Sequence, residues 1–169
     1  MASPNCRIFN RFRDNMIREA NIDDTESIVD LWEEMMDFHI QKNNIYETKA
    51  DAREIYTFYL EKVIKSHENL VLVCEIENEI VGYIMAEKSS LPPVYKEENV
   101  GTVVEICITE KYRNKGIGEK LLEKTEKWFV SKDINTIECV ISDFNEISKG
   151  FWFKNKYKPY NLVCFKRLS

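Results

Sequence analysis

The chain has 169 residues, which suits one domain, and 44% hydrophobic and 12% aromatic residues supply a substantial core. A net charge of −5 disfavours nucleic-acid binding, which needs a basic face to neutralise phosphates, and suits a cationic partner better. No apolar run approaches the length of a membrane span, so we expect no membrane partner and a cytoplasmic location.

The five cysteines stand singly in the sequence, and four of them lie in strand-like apolar runs. No C-x-x-C pair occurs, and only His39 and His67 are available as further metal ligands. We therefore expect reduced cysteines and no metal. The residues concerned are Cys6, Cys74, Cys107, Cys139 and Cys164.

Residues 1–15 are expected to form a disordered leader before a single domain at residues 16–169. The leader carries Arg7, Arg11 and Arg13 but lacks the apolar block of a secretory signal.

Ile17 to Ala20 is predicted to be the first strand. Asp23 is placed to cap the following helix, with Glu26 three residues on as its capping-box partner. After a polar loop over Gln41 to Lys49, Ala50 to Lys65 again shows helical periodicity. The apolar stripe of the first helix consists of Ile28, Leu31, Trp32, Met35 and Met36.

Leu70 to Glu75 and Ile80 to Ala86 are β-forming runs separated by a short polar turn, which predicts an antiparallel hairpin. Ser89 to Asn99 contains two prolines and no periodicity, so it is predicted to be a loop. Val103 to Ile108 is the next apolar strand.

A helix is predicted to begin near Gly116, because apolar residues then recur at helical spacing. Thr136 to Ile141 reads as another buried strand and Asn145 to Lys156 as a helix. Leu162 to Lys166 is predicted to be a last strand.

A basic, glycine-containing hexapeptide joins the Val103 to Ile108 strand to this helix. The first N–H groups of a helix lack intrahelical partners, and its dipole puts positive charge at the same end, so an anion can bind there. Two glycines allow close approach to the main chain, while the basic side chains add charge. The alternative is a simple strand-to-helix turn. The hexapeptide is Arg113, Asn114, Lys115, Gly116, Ile117 and Gly118.

The order of these elements, together with four motifs, resembles the GNAT superfamily of acyl-CoA-dependent N-acetyltransferases. The motifs are Ile17-Arg18-Glu19-Ala20 with Asp23-Asp24, Ile80-Val81-Gly82-Tyr83, the R-x-x-G-x-G loop, and Asn145 followed by Phe151-Trp152. The resemblance implies an α/β fold of the α+β type. A mixed, mostly antiparallel sheet of about six to seven strands would be flanked by helices and splayed open between the strands ending at Ile108 and Ile141.

By the same resemblance, acetyl-CoA would enter that gap, with its pyrophosphate on residues 113–118. The main chain of Ile106, Cys107 and Ile108 would bind the pantetheine amides. Asn145 is implied on the pantetheine side, although a helix N-cap is an equal alternative and both roles can coexist. Lys154 is implied as a partner for the 3′-phosphate.

Trp152 also belongs to the implied cofactor site, yet it stands where the family often has a tyrosine that protonates the departing sulfur. An indole N–H is no useful acid, and Trp152 is interpreted more readily as a core residue. Tyr157 or Tyr112 would then be the replacement acid, and no sequence argument selects between them.

Glu105 is the candidate general base, because it interrupts an apolar strand on the same face as Val103 and Cys107. Desolvation there would raise its pKa toward the working range of a base. The alternatives are a polar residue on a partly solvated strand face and proton removal through a bridging water.

The resemblance predicts acetyl transfer from acetyl-CoA to a primary amine by direct attack in a ternary complex. The alternative is a non-catalytic acyl-CoA-binding or regulatory domain. A polyamine, a lysine side chain, a peptide N-terminus and a small amine all stay open as acceptors, and so does a homodimer. The residues expected to bear on acceptor choice are Trp32, Glu33, Asp37, His39, Tyr46, Tyr56 and Tyr59.

Overall fold

A computed structural model describes residues 16–97 and 99–168. Within them, one five-stranded sheet has the strand order β1-β2-β3-β4-β5. The first four strands are mutually antiparallel, and β5 runs parallel to β4. The strands are β1 Ile17–Glu19, β2 Asn69–Ile76, β3 Glu79–Ser90, β4 Asn99–Ile108 and β5 Ile137–Cys139.

Helices cover both faces of the sheet, which confirms the expected mixed fold. Two of them, α1 and α2, pack on one face over Val73 and Tyr83, and α3 and α4 pack on the other over Ile84 and Val103. The α1–α2 layer and the α3–α4 layer therefore lie on opposite faces of the sheet. The helices are α1 Thr25–Lys42, α2 Ala52–Lys65, α3 Ile117–Ser131 and α4 Glu146–Lys154. No helix within the described residues is long and apolar enough to cross a membrane.

The predicted N-cap at Asp23 is wrong. The capping box begins two residues earlier, because the Asn21 side chain accepts a bond from the Asp23 N–H at 2.7 Å and the Asp24 carboxylate accepts one from the Asn21 N–H at 2.8 Å. Arg18 of β1 fixes Asp24 in this position through contacts of 2.7 and 2.8 Å. The Arg18 hydrogen bonds hold the pKa of Asp24 below its ordinary value, so this link between β1 and α1 is charged at neutral pH.

A β-bulge at Val104 changes which face the end of β4 presents. Met85 of β3 lies opposite Glu105 while the neighbouring Ala86 lies opposite Val103, so Val104 has no partner across the ladder. Val103 therefore packs in the α3–α4 core, whereas Glu105 turns toward α1 and α2. The prediction that Glu105 shares a face with Val103 is wrong, and its sharing a face with Cys107 is confirmed.

The bulge also marks the point where the sheet opens. Strand β5 pairs only with Gly101, Thr102 and Val103 of β4. Beyond Val103 the outer edge of β4 has no strand partner among the described residues. The family resemblance implies an opening between β4 and β5, and the strand register puts the start of this opening at the bulge.

The predicted last strand over Leu162 to Lys166 is wrong, since residues 155–168 have no helix or strand. Leu162 and Val163 are almost fully exposed, and Cys164 is exposed rather than buried. A strand needs a neighbouring strand to satisfy its backbone groups, and this segment pairs with none among the described residues. The sheet of the described residues is accordingly smaller than the six to seven strands expected. The predicted leader lies outside the described residues.

Candidate active site

A carboxylate held by two phenols lies at the opening of the sheet. The Glu105 Oε2 atom accepts hydrogen bonds from the Tyr56 hydroxyl at 2.5 Å and from the Tyr83 hydroxyl at 2.8 Å. Strand β3 supplies Tyr83, whose side chain is fully buried, and α2 supplies Tyr56, which is 7% exposed. The cluster therefore joins two strands and a helix at one atom.

Burial raises the pKa of Glu105 above its ordinary value, while the hydrogen bonds from Tyr56 and Tyr83 act in the opposite direction. Burial also raises the pKa of both phenols, and the charge of Glu105 raises them further. The phenols consequently stay protonated and donate to the carboxylate. The site thus contains a carboxylate that accepts two hydrogen bonds and is more basic than a surface glutamate.

The sequence did not point to Tyr83 as a partner of Glu105. Tyr83 and Glu105 are 22 residues apart, and Tyr56 and Glu105 are 49 apart, so no local pattern joins them. One signal was present, since Tyr83 is a residue with a polar tip in the middle of an apolar strand. Such a hydroxyl, when buried, needs a partner.

Alternate residues of β4 direct their main-chain groups into the gap that opens where β4 leaves β5. The Thr109 N–H donates to the Val81 carbonyl at 3.0 Å, and the bonding alternates along an antiparallel ladder. The main chain of Cys107, opposite Tyr83, is therefore directed to β3. That of Ile106 and Ile108 is directed to the gap. An extended amide ligand in the gap would meet these groups as it would meet a neighbouring strand.

The Cys107 side chain is buried, and this determines the protonation state of its thiol. Its thiol donates to the Leu31 carbonyl at 3.3 Å, and burial raises its pKa to about 12. The thiol is therefore protonated at neutral pH and is a packing group between β4 and α1.

The hexapeptide after β4 forms a turn that ends in a helix N-terminus. Asn114 and Gly116 adopt left-handed backbone conformations, with φ of 58° and 76°. Helix α3 begins at Ile117, and no side chain caps it. Within the described chain, the N–H groups of residues 114–118 have no backbone acceptor. These donors fit an anionic ligand.

The two basic side chains of this loop have different surroundings. The Arg113 guanidinium donates to the Ile108 carbonyl at 2.8 Å and pairs with Glu34 of α1 at 3.0 Å. Its charge is thus paired with a carboxylate of α1, and its contact with a phosphate stays a prediction. Lys115 is exposed, with its Nζ atom 4.6 Å from the centre of the Tyr112 ring.

Gly118 is needed for a contact that the sequence did not reveal. A Cβ atom there would lie 3.0 Å from Cε2 of Phe151, so even alanine would push the ring aside. The glycine therefore lets α3 approach α4, whatever it also does for a ligand.

Helix α4 carries three of the predicted cofactor residues. The Asn145 side-chain oxygen accepts from the Ser148 N–H at 3.0 Å, which confirms the helix N-cap. Trp152 is 3% exposed and belongs to the core, as interpreted. The Lys154 ammonium contacts Glu119 at 2.7 Å and is otherwise exposed. A cofactor role for these residues stays a prediction.

Tyr157 lies against α3, where its hydroxyl donates to Glu126 at 3.4 Å and its ring packs edge-on against Trp152. Burial and the charge of Glu126 raise its pKa well above the ordinary value. A raised pKa makes the phenol a weaker proton donor, so the structure gives Tyr157 no advantage as an acid.

A second aromatic group connects α1 to the loop after β5. The His39, Tyr46 and Phe144 rings contact one another with centroid distances of 5.1 to 5.9 Å. The Tyr46 hydroxyl is 2.7 Å from the Ser142 hydroxyl. These contacts hold the loop between β5 and α4 against α1 and the segment that follows it. They place His39 and Tyr46 in packing roles.

Substitution of Tyr83 by phenylalanine removes one donor from Glu105 and keeps the ring. Because that bond lowers the pKa of the carboxyl, we expect the acidic limb of the pH-rate profile to move to higher pH. Tyr160→Phe, which removes an exposed hydroxyl bonded to Glu138, is the matched control and should leave the profile unchanged. An unshifted limb in Tyr83→Phe would mean that Glu105 does not set it.

Among the described residues, no group of three or more His, Cys, Asp or Glu side chains is placed to hold a metal ion.

Comparison with known proteins defines the class. The family model described as "Acetyltransferase (GNAT) family" matches residues 28–156. The chain belongs to this family and is an acyl-CoA-dependent acetyltransferase.

Two curated relatives cover most of the chain. An uncharacterized N-acetyltransferase of Archaeoglobus fulgidus is 24% identical over 136 residues, covering 80% of this chain and 88% of its own. An N-alpha-acetyltransferase of Saccharolobus solfataricus is 30% identical over 136 residues, covering 76% of this chain and 70% of its own.

Solved structures share the fold. A predicted acetyltransferase of Clostridium acetobutylicum, solved with acetyl-CoA, has a TM-score of 0.74 at 18% identity, with 89% of this chain and 94% of that chain covered. An aminoglycoside 6′-N-acetyltransferase of Acinetobacter haemolyticus has a TM-score of 0.72 at 12% identity, with 90% and 97% covered.

Proposed function

We propose that this enzyme transfers an acetyl group from acetyl-CoA to a primary amine by direct attack in a ternary complex, with Glu105 as the general base. The observation that carries the proposal is the position of Glu105, a half-buried carboxylate at the point where β4 leaves β5. Acetyl-CoA supplies the activated acetyl thioester.

The chain's own groups fit that co-substrate in two places. The main-chain amides of Ile106 and Ile108 face the gap and would bind the pantetheine arm. The free N–H groups of residues 114–118 would bind the pyrophosphate, with Lys115 nearby. In this scheme Arg113 ties the loop to Glu34 of α1 rather than contacting phosphate. Asn145 and Lys154 stay candidates for outer contacts.

The role of Glu105 is to take a proton from the acceptor. Glu105 takes one proton from the ammonium and so frees the nitrogen lone pair. The nitrogen then forms a bond to the acetyl carbon while the carbon–sulfur bond breaks, CoA leaves as the thiolate, and the second nitrogen proton passes to that thiolate or to solvent. Ammonium has no lone pair, so a base is required at neutral pH unless solvent takes the proton first. A thiolate with an ordinary pKa near about 8.5 can leave without an acid. Tyr157 is therefore not needed by this scheme.

Names of relatives support an amine acceptor without choosing one. The Saccharolobus protein is called an N-alpha-acetyltransferase and the Acinetobacter protein an aminoglycoside 6′-N-acetyltransferase. A peptide N-terminus, a lysine side chain, a polyamine and a small amine all fit the proposal at this level.

Detection of free thiol with acetyl-CoA and a broad panel of amines tests the proposal. Turnover with any amine that yields one thiol per acetylated product supports direct transfer. Tight acetyl-CoA binding without turnover across the panel would overturn it in favour of a binding or regulatory domain.

A homodimer stays a prediction. Residues 162–168 expose Leu162, Val163 and Phe165, and within the described chain the outer edge of β5 is unpaired. A second copy would cover this surface. Sedimentation of the full chain measures whether it does.

A further inference from the structure

Beside the Glu105 cluster lies a pocket of about 450 Å³ between α1, α2 and the segment that joins them. Its lining residues are Trp32, Glu47, Thr48, Lys49, Ala52, Ile55, Tyr56 and Tyr59. Tyr56 is common to both sites, since its ring lines the pocket and its hydroxyl binds Glu105 at 2.5 Å. A molecule in the pocket is thus separated from the base by one side chain.

The pocket wall is built from stacked aromatic rings. The Trp32 and Tyr56 rings are parallel within 8°, with centroids 4.2 Å apart. Tyr59 lies one helical turn beyond Tyr56, with its ring centroid 6.0 Å away. The stack fixes two of these rings, so the wall is formed before a ligand arrives, which lowers the entropy cost of binding.

Two of the large apolar side chains that line the pocket are also open to solvent on α2. Ile55 is 50% exposed and Tyr59 is 41% exposed. Exposed apolar groups next to a concave apolar surface are typical of ligand sites.

Three acidic side chains of α1 are already paired with a basic residue of α2. Arg53 of α2 pairs with Asp30 at 2.8 Å and also with Glu26 and Glu33. Within the pocket lining, Glu47 is the one carboxylate, and Lys49 stands two residues from it. A polycation would therefore bring several charges to a wall that offers little net negative charge.

We propose that this pocket binds an apolar, preferably aromatic, group carried next to the reacting nitrogen, so that the preferred acceptor is an aryl- or alkyl-substituted primary amine rather than a polycation. The inference rests on the proposed function. The same chemistry is offered by a small arylalkylamine and by a peptide whose N-terminal residue is aromatic.

The test compares kcat/KM for acceptors of similar basicity. We expect 2-phenylethylamine to exceed n-butylamine by about tenfold or more, a scale usual for added apolar contact in a pocket. Spermidine and kanamycin, as polycations, should fall below 2-phenylethylamine. A tetrapeptide beginning with Phe and one beginning with Ser distinguish the peptide source from the small-molecule source.

Variants connect the preference to the pocket. Tyr59→Ala and Trp32→Ala should each remove most of the preference for 2-phenylethylamine over n-butylamine, measured as the ratio of the two kcat/KM values. Phe58→Ala is the matched control, because Phe58 lies on the same helix, is 62% exposed and does not line the pocket. Because Tyr59 is 41% exposed, Tyr59→Ala should stay folded. The test can therefore be completed with Tyr59→Ala even if Trp32→Ala fails to fold.

Three outcomes would overturn the inference. Equal kcat/KM for 2-phenylethylamine and n-butylamine, a preference for spermidine or kanamycin, or an unchanged preference in Tyr59→Ala would each reject this pocket as the acceptor site. Any of these with turnover leaves the proposed function intact. Absence of turnover with every amine rejects the proposed function together with the inference.

Discussion

Glu105→Gln is expected to lower kcat by about a hundredfold or more while acetyl-CoA affinity changes little. Glutamine keeps the shape of the side chain and still accepts hydrogen bonds from the Tyr56 and Tyr83 hydroxyls, but it takes no proton. The acidic limb of the pH-rate profile should disappear in the variant. Steady-state kinetics between pH 5 and 9 and calorimetric titration with acetyl-CoA give the two measurements.

The matched control is Glu79→Gln, an exposed glutamate at the start of β3, which should retain parental kinetics. Two acceptors of different basicity separate the base from solvent. If the acidic limb persists in Glu105→Gln and follows the acceptor's own pKa, the amine loses its proton before it binds, and Glu105 is not the base.

The same substitution has an expected effect on stability. Burial holds the pKa of Glu105 in the folded protein above its value in the unfolded chain. A group shifted in this direction favours folding at pH values below its unfolded pKa, and that advantage is lost as the pH rises through its folded pKa. Glu105→Gln should therefore unfold at no lower temperature than the parent at pH 8, with the difference shrinking as the solution is acidified. A residue kept at a cost in stability at working pH is consistent with a catalytic role.

Periodicity was sufficient to predict most of the elements. The apolar runs that became β2, β3 and β4 alternate or are continuous, and the helices show clear stripes, so local sequence decides their type. The last strand failed because its type depends on a partner. Residues 162–166 have a β-forming composition, yet they do not pair with β5, which has only three residues.

The sequence argument for Glu105 as the candidate base is only partly right. An isolated carboxylate in an apolar strand identified Glu105, but simple alternation put it on the face of Val103. The bulge at Val104 reverses that face, and a bulge depends on the pairing with β3 rather than on local sequence. The two phenols come from distant segments and are seen only after folding. Similarly, Arg113 reads as a phosphate ligand until α1 brings Glu34 to it.

The remaining prediction concerns the anion site, because its N–H donors belong to the main chain and cannot be deleted by ordinary substitution. Asn114→Asp adds a negative charge instead. Asn114 is exposed and already has a φ of 58°, a conformation that aspartate tolerates, so the fold should be unaffected. Two unit charges a few ångströms apart repel by about 1 kcal/mol in water and more at a protein surface. We therefore expect acetyl-CoA affinity to fall by at least about tenfold, with the loss shrinking at high salt.

Two control variants, one neutral and one charged, make the result specific to the pyrophosphate. Asn114→Gly keeps the left-handed backbone without the charge and should bind acetyl-CoA like the parent, and Asn135→Asp adds the same charge at an exposed position after α3 and should also bind normally. S-acetylpantetheine lacks the pyrophosphate, so its kcat/KM as acetyl donor should be the same for Asn114→Asp and the parent. Undiminished acetyl-CoA affinity in Asn114→Asp at low salt would place the pyrophosphate elsewhere, and an equal loss with S-acetylpantetheine would show that the substitution acts on the pantetheine gap or on the fold.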